Sequence, residues 1–122
     1  MNERTGQLER RGDLRFDAVF SVVVSSEEFG KMKCMARNIS NRGMFIEARD
    51  VLPLGTEVRV HFLMDAGQGE IVARAVIKNH YFLSYSGQGR LRRLVGMGLR
   101  FVEFEQGDND YEQAMNRYRV LH

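Results

Sequence analysis

The sequence predicts a mainly all-β domain: a closed or nearly closed six-stranded antiparallel barrel with a flexible N-terminal arm and a C-terminal α-helix. Three observations predict it. Short β-branched and aromatic runs alternate apolar with polar positions. Glycine and polar turn signals separate those runs at hairpin spacing. One terminal segment alone has helical spacing. Closing the sheet also removes exposed strand edges that would invite aggregation. At 122 residues the chain fits one domain.

Residues 1–10 carry almost no apolar content and no period, and they read as the start of a mobile arm. The arm is assigned to residues 1–15 and the barrel with its helix to 16–122, with a single domain over 10–122. In "FDAVFSVVV", Phe16, Ala18, Phe20, Val22 and Val24 alternate. After a turn at Glu27 to Gly30, "KMKCMARN" alternates Met32, Cys34 and Ala36 against Lys33, Met35 and Arg37. "GMFIEA" gives a third strand, and Pro53 and Gly55 mark the loop that follows. "TEVRVHFLM" places Val58, Val60, Phe62 and Met64 on one face, with Arg59 and His61 on the other. "GEIVARAVIKNHYF" reads as a long strand and "GMGLRFVEF" as the last one. Between them, "SGQGRLRRLVGMG" reads as a long hairpin loop with a basic tip; the alternative is a phosphate or partner contact by Arg90, Arg92 and Arg93. In "DYEQAMNRYRVLH", Tyr111, Ala114, Met115 and Tyr118 share a helical face, with Leu121 close to it. Asp110 is a candidate cap, and the helix is expected to be a lid on one barrel mouth.

Hydrophobic residues make up 43% and charged residues 28%, an ordinary globular balance rather than a disordered one. The apolar runs are too short to span a bilayer, no leader opens the chain, and the single Cys34 forms no internal disulfide. These features predict a cytoplasmic protein. A net charge of +2 does not define a nucleic-acid binder, and the absence of tryptophan argues against aromatic stacking platforms for single strands. His61, His80 and His122 show no metal-ligand spacing, and no Gly-x-Ser-x-Gly elbow is present. No catalytic constellation and no metal site is expected.

Two stretches stand out. In "RRGDLR", Arg11 and Arg15 are four apart, so their guanidinium groups can converge on one bulky anion, and Gly12 keeps the segment pliable. Guanidinium forks pair with phosphate oxygens and with the O6 and N7 edge of guanine. The plainer reading of this spacing is a basic linker. "NISNRGMF" supplies the glycine and polar residues of a hairpin turn.

Together, "RRGDLR" followed by "NISNRG" resembles the PilZ domain family. Its pattern of Arg-x-x-x-Arg, then Asp or Asn-x-Ser-x-x-Gly, is met by Arg11 and Arg15 and by Asn38, Ser40 and Gly43. Gly98 and Phe101 of "GMGLRF" look like the family's last barrel strand. The resemblance covers roughly residues 10–119. It implies a six-stranded barrel that binds cyclic di-GMP without catalysis. The arginine arm would close over the ligand, the second motif would form the floor, and the arm's change of shape would reach a partner.

On that reading Asn38 accepts from guanine, Ser40 donates to a phosphate or guanine, and Gly43 leaves room for the ligand. Arg10, just before the first motif arginine, is similar to the type that binds a stacked pair of ligands. Arg74, Lys78 and Arg100, on the last two strands, are further candidates around the purines; the alternative for all three is a solvated strand face. With no other recognisable domain, the output is expected to pass to a separate, unidentified protein, with no nucleic acid and no membrane insertion. A monomer or a weak dimer is expected. The rival reading is a PilZ-like adaptor with little or no ligand binding, working through "RLRR" and the terminal helix.

Overall fold

The computed structural model describes residues 14–64, 68–87 and 89–121. Six strands and one helix follow in order: β1 (Phe16–Ser26), β2 (Gly30–Ile39), β3 (Gly43–Ala48), β4 (Glu57–Phe62), β5 (Ile71–Gly87), β6 (Arg90–Gln106) and α1 (Asp108–Leu121). All neighbours pair antiparallel in the order β1-β2-β3-β6-β5-β4, and β4 returns to β1, so the sheet closes into a barrel. The predicted six-stranded antiparallel barrel and C-terminal helix are the observed ones, while the predicted arm lies, apart from Leu14 and Arg15, outside the described residues.

Alternation explains the core. Val22, Val24, Cys34, Ala36, Val58, Val60, Ala73, Ala75 and Ile77 point inward and are buried, while their neighbours along each strand are more exposed. Ile39, Met44, Ile46, Met97 and Leu99 complete the filling. Burial pushes the Cys34 thiol up to about 11, so it packs as a small hydrophobe.

Helix α1 closes one mouth. Tyr111 and Met115 are buried, and the Tyr111 ring meets Phe62, Phe101 and Phe104 at centroid distances of 6.0, 5.3 and 5.1 Å. Tyr118 stacks on Phe16. The segment between β3 and β4 serves the opposite end. It sends Leu52 into the core, where the Leu52 amide lies 3.2 Å from Met97 Sδ and the Leu52 carbonyl accepts from His80 Nε2 at 2.6 Å.

Two boundaries differ from expectation. The helix starts at Asp108 rather than beside Asp110. Gly107 takes a positive φ of 81° to turn the chain out of β6, and its carbonyl accepts from the Tyr111 amide at 3.0 Å. Asp108 and Asp110 then both lie in the first turn, where their charge favours the helix dipole. Second, "SGQGRLRRLVGMG" is not a long loop. Strand pairing continues through Ser84↔Arg93 to Gly87↔Arg90, so β5 and β6 form an extended ribbon with a tight turn at Gly89, φ 75°.

Candidate functional site

The turn from Ser40 to Gly43 joins β2 to β3, and the Ser40 side chain builds it. The Ser40 hydroxyl oxygen accepts from the amides of Arg42 at 3.1 Å and Gly43 at 3.2 Å, while the Ser40 amide donates to the Gly43 carbonyl at 2.9 Å. Ser40 is 0% exposed, the one buried polar residue among those described. Its hydroxyl is therefore spent on the turn and turned away from solvent. The Ser40 carbonyl accepts from the Tyr111 hydroxyl at 2.6 Å, which fastens the turn to the lid helix. Burial raises the Tyr111 hydroxyl well above its ordinary value, so it stays a neutral donor.

Gly43 is required for a steric reason. A Cβ there would collide with the Leu99 carbonyl on β6, so β3 and β6 could not keep their register Gly43↔Arg100 and Met44↔Leu99. The need is close backbone approach rather than an unusual φ. The Arg42 carbonyl, in turn, accepts from the Phe101 amide at 2.7 Å.

Beside the turn, Asn38 Oδ1 accepts from Arg15 Nη1 at 2.8 Å, linking residues 23 positions apart. Strand irregularities shape this region. A register shift between Ala36 and Asn38 leaves Arg37 as an extra residue, and one between Ile77 and Asn79 leaves Lys78 as another. Such bulges re-aim side chains. Lys78 and Asn79 are consecutive, yet both are exposed and both line the same cavity.

That cavity, about 210 Å³, is lined by Arg15, Arg42, Gly43, Lys78, Asn79, Gly98, Leu99 and Arg100. Four cationic side chains thus surround a floor with glycine at two of its places, and no acidic residue lines it. At Gly98 a Cβ would stand 3.2 Å from Asn79 Nδ2, so the floor is tightly fitted there too. The arrangement suits a compact anion: fixed cations, an accessible backbone, and no carboxylate to repel it.

Of the residues singled out in the sequence, Arg15, Gly43, Lys78, Gly98 and Arg100 meet at this cavity. Asn38 joins through Arg15, and Ser40 lies beneath the turn. Arg74 does not join them. It pairs with Glu103 at 3.2 Å and Glu105 at 3.8 Å and lines a separate groove. Arg10 and Arg11 lie outside the described residues. Three lining residues, Arg42, Asn79 and Leu99, were missed. Asn79 left a signal: it is polar where the inward period Ala73, Ala75, Ile77 calls for an apolar residue, which marks a bulge.

The separate groove is larger, about 950 Å³, and its lining includes Glu27, Glu28, Glu57, Arg59 and Arg74. Its chemistry is different. Arg59 forms a two-pronged bond to Glu105 at 2.8 and 3.3 Å, and that bond holds the Glu105 carboxyl below its ordinary value. Its arginines are matched by acids, and three glutamates repel a polyanion. Size alone would choose this groove; charge chooses the smaller cavity.

A family model for the PilZ domain matches residues 9–118. Among solved structures, the PilZ domain of YcgR from Escherichia coli with c-di-GMP superimposes with a TM-score of 0.67 at 14% identity, covering 88% of this chain and 87% of that one. MotI/DgrA, an inhibitor of motility from Bacillus subtilis, gives 0.65 at 21% identity over 88% of this chain. MrkH, described as a c-di-GMP-dependent transcription regulatory factor, gives 0.67 at 17% identity over 92%. This chain spans about half the length of each of the last two, 51% in both cases. No curated protein matches it. With the barrel, the lid helix and the motif turn in place, and a family match over nearly the whole length, the chain belongs to the PilZ domain family.

Proposed function

We propose that this protein is a non-enzymatic receptor for cyclic di-GMP that acts in the cytoplasm and signals to a separate protein. The observation that carries the reading is the cavity in which Arg15, Arg42, Lys78 and Arg100 ring a glycine floor free of acidic side chains. Family membership supplies the ligand class, and the YcgR domain, solved with c-di-GMP, offers the nearest chemical precedent among the structures above.

The ligand carries two phosphates and two guanines. Arg15 and Arg100 meet phosphate oxygens or guanine acceptor edges, Lys78 and Arg42 add charge, and Asn38 accepts from guanine N–H groups once Arg15 turns to the ligand. Ser40 serves indirectly, by holding the turn. At about 210 Å³ the cavity is below the roughly 300–1,000 Å³ usual for small-molecule sites. The barrel face alone is therefore too small, and an arm over residues 1–15, bringing Arg10 and Arg11 above the barrel of 16–122, completes the enclosure. Arg10 adds the charge that a stacked pair of ligands needs.

Calorimetric titration of cyclic di-GMP tests this. Charge-assisted hydrogen bonds contribute about 1.5–3 kcal/mol each, so Arg11→Ala and Arg15→Ala should each weaken binding roughly ten- to a hundred-fold. Absence of binding at tens of micromolar ligand would sink the receptor reading and leave an adaptor that works without ligand.

A further inference from the structure

The β5–β6 ribbon outruns the barrel that supports it. Strand β4 accompanies β5 only as far as Val76, and two loop bonds extend that edge to Ile77, Gly55 N–H to the Ile77 carbonyl at 2.8 Å and Ile77 N–H to the Thr56 carbonyl at 3.0 Å. Strand β3 leaves β6 at Val95. From Leu83↔Leu94 to Gly87↔Arg90 the two strands pair with each other alone among the described residues. Both edges there present main-chain groups with no neighbouring strand. A two-stranded ribbon is marginally stable by itself, and an open edge is a template for a further strand.

The side chains are also unusual for solvent. Phe82 is 66% exposed and Tyr81 45%, and Phe82 is braced edge-on by His80 with ring centroids 6.1 Å apart. Ser84 and Arg93, register partners, are both exposed. The charge is one-sided. From Phe82 to Val95 the sequence contains no aspartate or glutamate, while Arg90, Arg92 and Arg93 fall within it.

We propose that the ribbon is a docking surface for an acidic, extended segment of a partner protein, added as a third strand along its edge. Main-chain bonds would give affinity, the Phe82 side chain an apolar anchor, and the cationic run would select a partner with carboxylates. A nucleic acid fits less well, because unpaired amides and carbonyls match another peptide backbone, and Tyr81 and Phe82, consecutive in β5, face opposite sides of the ribbon and do not form one stacking platform. The proposal is independent of the ligand reading.

The test uses the full chain and short fluorescent peptides alternating glutamate or, as control, lysine with valine and threonine. Anisotropy gives affinity, and amide shifts in nuclear magnetic resonance spectra give the location. The glutamate peptide should bind, shift amides between residues 78 and 95, and lose about five-fold or more in affinity on Arg93→Glu, a loss of about 1 kcal/mol. The same variant should keep the spectrum of a folded barrel and, if cyclic di-GMP binds, its wild-type affinity. Equal binding of both peptides, binding of neither, shifts away from the ribbon, or displacement by a single-stranded oligonucleotide would each overturn the proposal.

Discussion

Replacing Ser40 with alanine would remove the acceptor that the Arg42 and Gly43 amides share. Buried donors left without partners cost about 1–3 kcal/mol, so Ser40→Ala should lower unfolding stability by that amount, as read from urea denaturation. It should also weaken ligand binding, although the hydroxyl touches no ligand in the proposed site. Cys34 leads to a different expectation. Burial moves its thiol from 9.0 to about 11, so the folded state holds a proton that the unfolded chain releases sooner. Stability from this group is complete below pH 9 and is lost as pH rises towards 11. Denaturation midpoints measured from pH 8 to 11 should fall less steeply for Cys34→Ala than for the parent, in addition to the cavity cost of that change. Sequence reasoning placed Cys34 in the core through its period. It could not show that Ser40 is buried, because a turn serine looks the same whether it faces solvent or its own backbone.

Among the elements, β5 holds the information that was hardest to read. Its first half follows a strict period, so strand and face were legible. The extra residue at Lys78 was not, because a bulge depends on the partner strand. Deleting Lys78 should make the pairing Ile77↔Leu99, Asn79↔Gly98 regular. The barrel should persist by circular dichroism, while cyclic di-GMP affinity should drop about ten-fold or more through loss of one cation and reorientation of Asn79. The ribbon beyond was misread for a related reason. Gly89, Gly96 and Gly98 look like turn signals, but of these three only Gly89 has a positive φ. Gly96 sits in a strand because a Cβ would fall 2.6 Å from the Phe45 ring, and Gly98 because Asn79 crowds it. Close packing and turning both select glycine, and sequence alone does not separate them.

At the scale of the molecule, strand alternation and turn signals predicted a closed or nearly closed barrel and helical spacing its lid, while motif spacing revealed the family; strand alternation alone would have left several barrel topologies open. What spacing could not reveal is the bond from the Tyr111 hydroxyl to the Ser40 carbonyl across 71 positions of sequence. It makes the lid and the floor of the candidate site one mechanical unit. If turn geometry governs affinity, Tyr111→Phe should reduce cyclic di-GMP binding measurably, with the helix still folded by circular dichroism. Thermodynamic linkage then runs in both directions: anything that loosens α1 lowers affinity for the messenger by the same factor by which the messenger tightens α1. Hydrogen exchange of helix amides with and without ligand would read that factor. If the proposed receptor function holds, a protein that grips the helix would accordingly set the messenger concentration at which the site fills.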